Sequence, residues 1–440
     1  MNRIYPEAIT IVLVLCCGCN PKTDYQALDN FSKGQLGKWN HGLTEVIITD
    51  VLNPPVCSRA YAYSNIAAYE ALRAAFPEYP SYAKHLNGLT KIPPATGNKK
   101  DYYFPVSGII AFATVAKKMV FNSEAIGDME NAYLKQLDSL DMDDELLHQS
   151  INYGRVVGQH IIGWAAKDGY LQRNSNPGYL VTKEAGRWQP TPPNYSDAIE
   201  PNWGTVRPFT LDSASQFRPV PPPKFDSIPN SGYFKDVMQV YDAVNHPLEN
   251  YSAIANFWDC NPNISVTQGH VTYFQQKISP GGHWIYIACS VCEKEKYDEM
   301  KTAEIISKVA ITIADAFISC WEAKYHYNTT RPETVINRYI DKEWKPILQT
   351  PPFPEYPSGH SVASAAASTI LTYLVRDNYA FIDSTELPFG MPSRKFHSFN
   401  AAANEASLSR MYGGIHYLPA LNNGAEQGRK ISNYIIAKFR

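Results

Sequence analysis

The sequence lacks a charge excess of either sign and, beyond its first residues, any apolar run long enough to cross a bilayer. Its 40 lysines and arginines nearly balance its 42 aspartates and glutamates, which leaves a net charge of −2. This balance argues against nucleic acid or an anionic membrane surface as a partner. The best candidate spans, residues 309–321 and 361–375, are interrupted by Asp315 or diluted with serine and alanine. We therefore expect the body of the protein to lie outside the bilayer and to touch a membrane only through an anchor.

Cysteines are few and do not form a disulfide framework. Three of the eight fall within the first nineteen residues, and the remaining five stand at irregular spacings, so an odd number is left to pair. Cys289 and Cys292 have the spacing of half a redox or zinc motif, but no second cysteine pair or nearby histidine completes it. Two interpretations stay open for this pair: small buried apolar side chains, or a disulfide formed in an oxidising compartment.

The first nineteen residues, MNRIYPEAITIVLVLCCGC, combine a short basic start, an apolar run and a Gly-Cys ending. This pattern is typical of a lipoprotein signal peptide over residues 1–19, with Cys19 as the acylated residue. Asn20 is compatible with transfer to the outer membrane. We therefore expect an exported chain, lipid-anchored at that membrane and facing the periplasm or the cell surface. A plain secretory signal with incidental cysteines is the alternative.

Helical periodicity dominates the rest of the chain, and no alternating strand pattern recurs. Apolar residues at helical spacing predict helices over residues 64–76, 108–121, 124–140, 146–169, 234–244, 251–259, 298–325, 361–375, 399–411 and 425–439. Residues 171–235 are instead rich in proline, asparagine and aromatic side chains, and we expect this stretch to cover the helical body. The sequence predicts an all-α fold, with residues 20–440 as a single helical domain.

A proline-rich segment, TPPFPEYPSGHSVASAAAS over residues 350–368, changes abruptly into an alanine- and serine-rich helix. A helix N-terminus presents unpaired N–H groups and the positive end of the helix dipole, so it can hold an anion. Here Ser358 would cap the helix, Gly359 would let a ligand approach, and His360 would aim a titratable ring at it. By itself this motif is equally compatible with an ordinary capped helix start.

Four further residues flank this motif in the sequence. Lys324 and Arg331 precede it in KYHYNTTRP, and Arg410 and His416 follow it in SRMYGGIH. Each is weak alone, since a lysine at a helix end is usually solvated and a lone histidine is usually a core residue. Together they supply three cations and two histidines around a helix N-terminus, a set suited to binding a tetrahedral oxyanion.

This ordered set resembles the signature of the superfamily of type 2 phosphatidic acid phosphatases and vanadium haloperoxidases: Lys-x6-Arg-Pro, Pro-Ser-Gly-His and Ser-Arg-x5-His. The resemblance covers residues 324–416 and places the anion-site motifs within residues 300–440. It implies that His416 is the vanadate ligand or the phosphate nucleophile, and that His360 is the general acid or base. It further implies that the equatorial oxygens of the anion are held by Lys324, Arg331, Ser358, Gly359 and Arg410.

Additional residues resemble the haloperoxidase branch. Asp259, in the segment 256–262 that reads NFWDCNP, is then a catalytic-site partner of Arg410. Trp321 and Phe353 match pocket residues of that branch, and phenylalanine at the second place is similar to the chloroperoxidase type. The branch implies two packed four-helix bundles, with the anion at the end of one of them.

The sequence departs from the signature at one place. The fourth residue after His416 is Ala420, where the signature has aspartate. A carboxylate there would orient and charge-balance the imidazole. Its absence predicts slow phosphohistidine chemistry, with vanadate chemistry less affected.

Three functions follow from these residues. The first is a vanadium-dependent haloperoxidase that oxidises halide with hydrogen peroxide at a bound vanadate. The second is an acid phosphatase that hydrolyses soluble phosphomonoesters through a phosphohistidine, with phosphate in the same site. The third, suggested by the 12% aromatic content and the lipoprotein signal, is a tethered protein that binds glycans or other nutrients. The converging cations disfavour the third, because a glycan needs none.

Overall fold

The computed structural model describes residues 23–262 and 264–440, so the expected signal peptide and Cys19 lie outside the described residues. This part of the chain contains fourteen α-helices: α1 (Tyr25–Ser32), α2 (Gln35–Thr49), α3 (Pro54–Leu72), α4 (Phe104–Met119), α5 (Ser123–Asp138), α6 (Asp144–Ala165), α7 (Gly232–Asn245), α8 (Tyr251–Phe257), α9 (Pro280–Glu295), α10 (Glu299–Tyr327), α11 (Pro332–Tyr339), α12 (Gly359–Leu374), α13 (Phe399–Tyr412) and α14 (Leu418–Lys438). Two short antiparallel hairpins complete it: β1 (Ser265–Gln268) with β2 (Val271–Phe274), and β3 (Phe381–Asp383) with β4 (Arg394–Phe396). The predicted all-α class is confirmed.

The helices pack as two groups of four around one continuous apolar core. Helices α3, α4, α5 and α6 form the first group, and α10, α12, α13 and α14 form the second. Helix α10 contacts α3 across the boundary, and α9 packs against α2, α3, α10 and α12. This arrangement agrees with the two four-helix bundles that the resemblance implies. None of the described helices is both long enough and apolar enough to span a membrane.

Helix α10 is the central element and carries part of the candidate site at its C-terminal end. Asp298 caps its start, because its Oδ1 accepts a hydrogen bond from the Lys301 amide at 2.7 Å. Asp315, the charge that interrupts its apolar run, is buried and accepts the amide protons of Phe209 and Thr210 at 2.6 and 2.8 Å. The interruption therefore anchors the covering segment to the core.

The covering segment, residues 171–235, packs on the helical body as expected. Trp188, Trp203 and Phe209 are buried, whereas Tyr195 is 63% exposed. The expectation that the aromatic residues of this segment pack is thus confirmed for these three and wrong for Tyr195. Apart from short 3₁₀ turns, an isolated bridge between Arg187 and Thr329, and the first turn of α7, the segment is irregular, which agrees with its proline-rich composition.

Several elements were not predicted: α1, α2, α9, α11 and the two hairpins. Helix α9 begins with Pro280-Gly281-Gly282, a sequence typical of a turn, yet Ser279 caps it by accepting the Gly282 amide proton at 3.1 Å. Tertiary packing of this helix overrides the local propensity. Within the described part of the chain all five cysteines are buried and free, so the disulfide alternative for the α9 pair is wrong.

Candidate active site

The N-terminus of α12 forms one wall of the site. Ser358 is its N-cap, and Ser358 Oγ accepts the Ser361 amide proton at 3.3 Å. The Ser358 amide donates to the Ala420 carbonyl at 3.1 Å, which ties α12 to α14. A Cβ on Gly359 would lie 3.5 Å from the Trp321 ring, so the helix starts close against that indole. The predicted Ser358 cap is therefore present in the structure, and the approach of a ligand to Gly359 stays a prediction.

Lys324, in the last turn of α10, holds the proline-rich segment that precedes α12. Its fully buried ammonium donates to three carbonyl oxygens, those of Pro354, Glu355 and Pro357, at 2.9, 3.0 and 2.6 Å. Burial, together with the nearby charge of Arg331, lowers the pKa of Lys324 to about 7. The side chain thus both shapes the loop and places positive potential beneath the helix N-terminus.

Arg331 is the N-cap of α11, and its backbone is extended because Pro332 follows it. Its Nε donates to the Phe353 carbonyl at 2.9 Å, and its Nη1 donates to the Ile415 carbonyl at 2.9 Å and to His416 Nε2 at 3.1 Å. Its Nη2 is buried and has no hydrogen-bond partner among the residues that the structure describes. Burial lowers the pKa of Arg331 to about 10. One edge of this guanidinium is therefore fixed, and one donor is left for a ligand.

Arg410, in the last turn of α13, lies on the other side of the site. Its Nη1 donates to the Trp258 carbonyl and lies 3.4 Å from His360 Nε2, while its Nη2 is 3.7 Å from Asp259 Oδ1. The Arg410 Nε is a second buried donor without a partner in the described part of the chain. The expected pairing of Asp259 with Arg410 is present as this ion pair, but Asp259 makes a closer contact with Lys277 Nζ, at 2.6 Å.

The chain reaches His416 through a turn after α13, where Gly414 has a φ of +83° and lies against Pro346. The Nδ1 atom of His416 lies 2.9 Å from Glu355 Oε1, and the same oxygen accepts the Tyr417 amide proton at 3.0 Å. Because the Nδ1–H group donates its hydrogen bond to Glu355, the Nε2 atom carries the lone pair, which faces Arg331 and the site.

The contact with Glu355 corrects the expectation drawn from Ala420. The imidazole does not lack a carboxylate, because Glu355 supplies one from the segment before α12. Glu355 and Ala420 line the same small cavity, so the carboxylate comes from a different segment but reaches the same neighbourhood. Burial raises the pKa of Glu355 to about 7, although Arg331 opposes the rise. The absence of aspartate at position 420 therefore no longer predicts slow phosphohistidine chemistry.

Both imidazoles of the site are neutral. Burial, together with the charges of Arg331 and Lys324, holds the pKa of His416 well below its ordinary value. Burial and the Arg410 charge do the same to the pKa of His360. The His360 side chain is only partly buried, whereas Arg331, Arg410 and His416 are fully buried. His360 therefore stands at the opening of the site, and His416 stands at its closed end.

The two predicted pocket aromatics pack against the cations. The Trp321 and Phe353 ring centroids are 5.0 Å apart, and Phe353 lies 5.0 Å from both Lys324 Nζ and Arg331 Cζ. Trp321 Nε1 donates to the Ile199 carbonyl at 3.3 Å, so the covering segment closes this side of the site.

The sequence-predicted site residues converge around this site, and two of its neighbours were missed. Glu355 could have been noticed as the single carboxylate in TPPFPEYPSGH, residues 350–360. Lys277 lies in an irregular segment with no periodicity to mark it. Lys324, Arg331 and Arg410 form a cation cage. The residues present fit a tetrahedral oxyanion, since two donors of this cage, Arg331 Nη2 and Arg410 Nε, are buried and unpaired among the described residues. Vanadate and phosphate both have the oxygen acceptors that these donors require.

Three solved structures are similar to this chain in fold, and one of them is also similar in sequence. The family profile of the VCPO second helical-bundle domain matches residues 304–440. The crystal structure of the first bacterial vanadium-dependent iodoperoxidase is 42% identical, covers 92% of this chain and 96% of its own, and superposes with a TM-score of 0.87. Holo-type and apo-type bacterial vanadium-dependent chloroperoxidases, each 16% identical, cover 89% and 88% of this chain and 93% and 96% of theirs, with TM-scores of 0.67 and 0.65. No curated protein matches the chain in sequence. The chain belongs to the vanadium-dependent haloperoxidase family.

Proposed function

We propose that this protein is a vanadate-dependent haloperoxidase that uses hydrogen peroxide to oxidise iodide. The observation that carries the proposal is the pair of buried guanidinium donors, Arg331 Nη2 and Arg410 Nε, that have no partner among the described residues and lie beside the unprotonated Nε2 of His416. Family membership supports the chemistry, and the 42% identity to a protein described as an iodoperoxidase supports iodide as the halide.

Bound vanadate would supply an electrophilic centre that activates hydrogen peroxide for oxygen transfer to the halide. His416 would hold vanadate through Nε2. Glu355 accepts a hydrogen bond from Nδ1–H at 2.9 Å, which keeps the proton on Nδ1 and leaves Nε2 unprotonated. Arg331, Arg410 and the N-terminus of α12 would hold the negatively charged oxygens.

His360 is suited to move the proton that peroxide binding releases. Its ring is neutral and partly accessible, so it can accept a proton at the opening of the site and return it to solvent or product. Arg410 lies 3.4 Å from its Nε2 and fixes the ring toward the cation cage.

The test is a peroxide-dependent assay with iodide, bromide and chloride, run on purified protein before and after loading with orthovanadate. The expected result is iodide oxidation that appears only after loading and is lost in His416→Ala. Activity that is independent of vanadate, or a halide preference for chloride over iodide, would contradict the proposal.

A phosphomonoesterase is the second candidate, because the contact between Glu355 and His416 provides the oriented imidazole that a phosphohistidine requires. Hydrolysis of p-nitrophenyl phosphate by the vanadate-free protein measures it directly, and vanadate should inhibit that hydrolysis if both anions share the site.

We also propose, from the first nineteen residues alone, that the chain is exported and acylated at Cys19. Metabolic labelling with a fatty acid tests this, with Cys19→Ala as the unlabelled control.

A further inference from the structure

A second cluster of metal-ligating atoms lies outside the anion site. Cys260 Sγ, His283 Nδ1 and Glu386 Oε1 converge on one point. The sulfur lies 3.5 Å from His283 Nδ1 and 3.8 Å from Glu386 Oε1, and these last two atoms are 3.1 Å apart. The three side chains are 1%, 0% and 3% exposed, so water does not compete for them.

Three separate segments build this cluster. Cys260 follows α8, His283 lies in the first turn of α9, and Glu386 follows β3 in the second hairpin. A fourth residue, Asp383 at the end of β3, accepts a hydrogen bond from His283 Nε2 at 2.7 Å. Because Nε2 carries that proton, the Nδ1 atom is the one available to face Cys260 and Glu386.

A cation between these three groups would hold them together, and it can be a metal ion or a proton on His283. A proton on Nδ1 can lie along only one of the two contacts, toward the sulfur or toward the carboxylate. A metal ion would satisfy all three at once. The carboxylate of Asp383 behind the imidazole is the usual outer partner of a metal-bound histidine, since it fixes the tautomer and raises the basicity of the ring.

The distances match a tetrahedral centre. Bonds of about 2.3 Å to sulfur and about 2.0–2.1 Å to nitrogen or oxygen place tetrahedral ligand atoms roughly 3.3–3.6 Å apart. The observed separations of 3.5, 3.1 and 3.8 Å lie close to these values. A thiolate, an imidazole and a carboxylate are the ligand types that zinc takes in proteins.

We propose that Cys260, His283 and Glu386 supply three ligands of a zinc ion, with His283 oriented by Asp383, at a site separate from the vanadate site. The ion would join the segment after α8 to α9 and to the second hairpin. That segment also carries Trp258, whose ring stacks on His283 at 4.5 Å between centroids and whose carbonyl accepts from Arg410. Zinc would thereby fix Trp258, whose carbonyl positions Arg410. This structural role does not depend on the activity proposed above.

The first test is elemental analysis of tag-free full-length protein purified without added metal. We expect about one zinc per chain, lost in Cys260→Ser and retained in Cys289→Ser, a matched change of another buried cysteine that contacts none of the cluster atoms described. His416→Ala should also retain the zinc, which separates this site from the anion site. Asp383→Asn should weaken zinc binding about ten- to a hundredfold, as expected for loss of an outer partner.

A second test keeps the proposal decidable if the Cys260 variant does not fold. Wild-type protein stripped of metal and loaded with cobalt(II) should show the near-ultraviolet charge-transfer band of a thiolate–cobalt bond and the visible bands of a tetrahedral ion. Protein that is isolated without zinc, takes up neither zinc nor cobalt, and melts at the same temperature with and without a chelator would overturn the proposal. The cluster would then be a proton-linked network, with His283 as an imidazolium between two carboxylates.

Discussion

Replacing Glu355 by glutamine tests the arrangement that sets this site apart from the family signature. The carboxylate is 2% exposed and accepts hydrogen bonds from His416 Nδ1 and the Tyr417 amide through one oxygen. Glutamine keeps the shape and one acceptor oxygen but removes the negative charge. His416 becomes a poorer electron donor at Nε2, so the variant should bind vanadate more weakly without losing its fold.

The size of the effect follows from the contact that is lost. A hydrogen bond to a charged group contributes about 1.5–3 kcal/mol, against about 0.5–1.5 kcal/mol for a neutral one. Loss of an outer partner of a metal-bound histidine costs about ten- to a hundredfold in affinity, which is about 1.4–2.8 kcal/mol. The two ranges overlap, and we expect the dissociation constant for vanadate to rise by about ten- to a hundredfold.

The assay is calorimetric titration of vanadate, at a pH above the Glu355 pKa of about 7 so that the wild-type group is ionised. Glu333→Gln is the matched control, because Glu333 is also buried but accepts from Thr350 Oγ1 and does not contact His416. A Glu355→Gln variant that melts like wild type and binds vanadate with unchanged affinity would refute the reasoning.

A rescue variant sharpens the test. Glu355→Ala should weaken vanadate binding further than glutamine does, since it leaves the Tyr417 amide and His416 Nδ1 without their acceptor. Adding Ala420→Asp returns a carboxylate to the position that the family signature uses, within the same cavity. We expect the double variant to bind vanadate more tightly than Glu355→Ala alone. If the two variants bind vanadate equally weakly, a carboxylate at position 420 cannot reach the imidazole.

Three other changes have defined outcomes. His360→Ala should abolish halide oxidation while vanadate still raises the melting temperature, because it removes the proton carrier and leaves the cation cage; retained turnover would exclude that role. Arg331→Ala should weaken phosphate and vanadate alike by about 2–4 kcal/mol, the cost of losing one partner of a buried charged contact, measured from ligand-dependent melting. Asp315→Asn should destabilise the fold by about 1–3 kcal/mol in urea unfolding, since an amide cannot accept all the protons that the carboxylate takes from Phe209 and Thr210; a midpoint equal to wild type would show that this anchor is dispensable.

The parts of the site that the sequence revealed are those fixed by local rules. Ser358 and Gly359 mark a helix N-terminus through capping and proline placement, and the structure starts α12 there. Arg331 is extended because a proline follows it. Such residues could be placed from a few neighbours in the chain, and the ordered motifs then indicated which of them share one site.

The parts that the sequence did not reveal depend on contacts between distant segments. Glu355 meets His416 across 61 positions of the chain, and nothing in the proline-rich segment marks its direction. Cys260 and His283 belong to segments without a metal-binding spacing, whereas the Cys289 and Cys292 pair has such a spacing and is merely buried in α9. Spacing detects ligands that share one turn or helix, but it cannot detect ligands that only tertiary packing brings together.

The charge balance of the anion site explains why its cations stay in place. Arg331 and Lys324 are buried and direct most of their donors to backbone carbonyls, so they are oriented before any ligand arrives. Their depressed pKa values record the cost of holding these charges out of water and near each other. Glu355 offsets part of that cost for Arg331 and Lys324. Asp259 does the same for Arg410, and Lys277 in turn partly neutralises Asp259. Positive potential therefore remains at the N-terminus of α12, and a multiply charged oxyanion is the ligand that removes it.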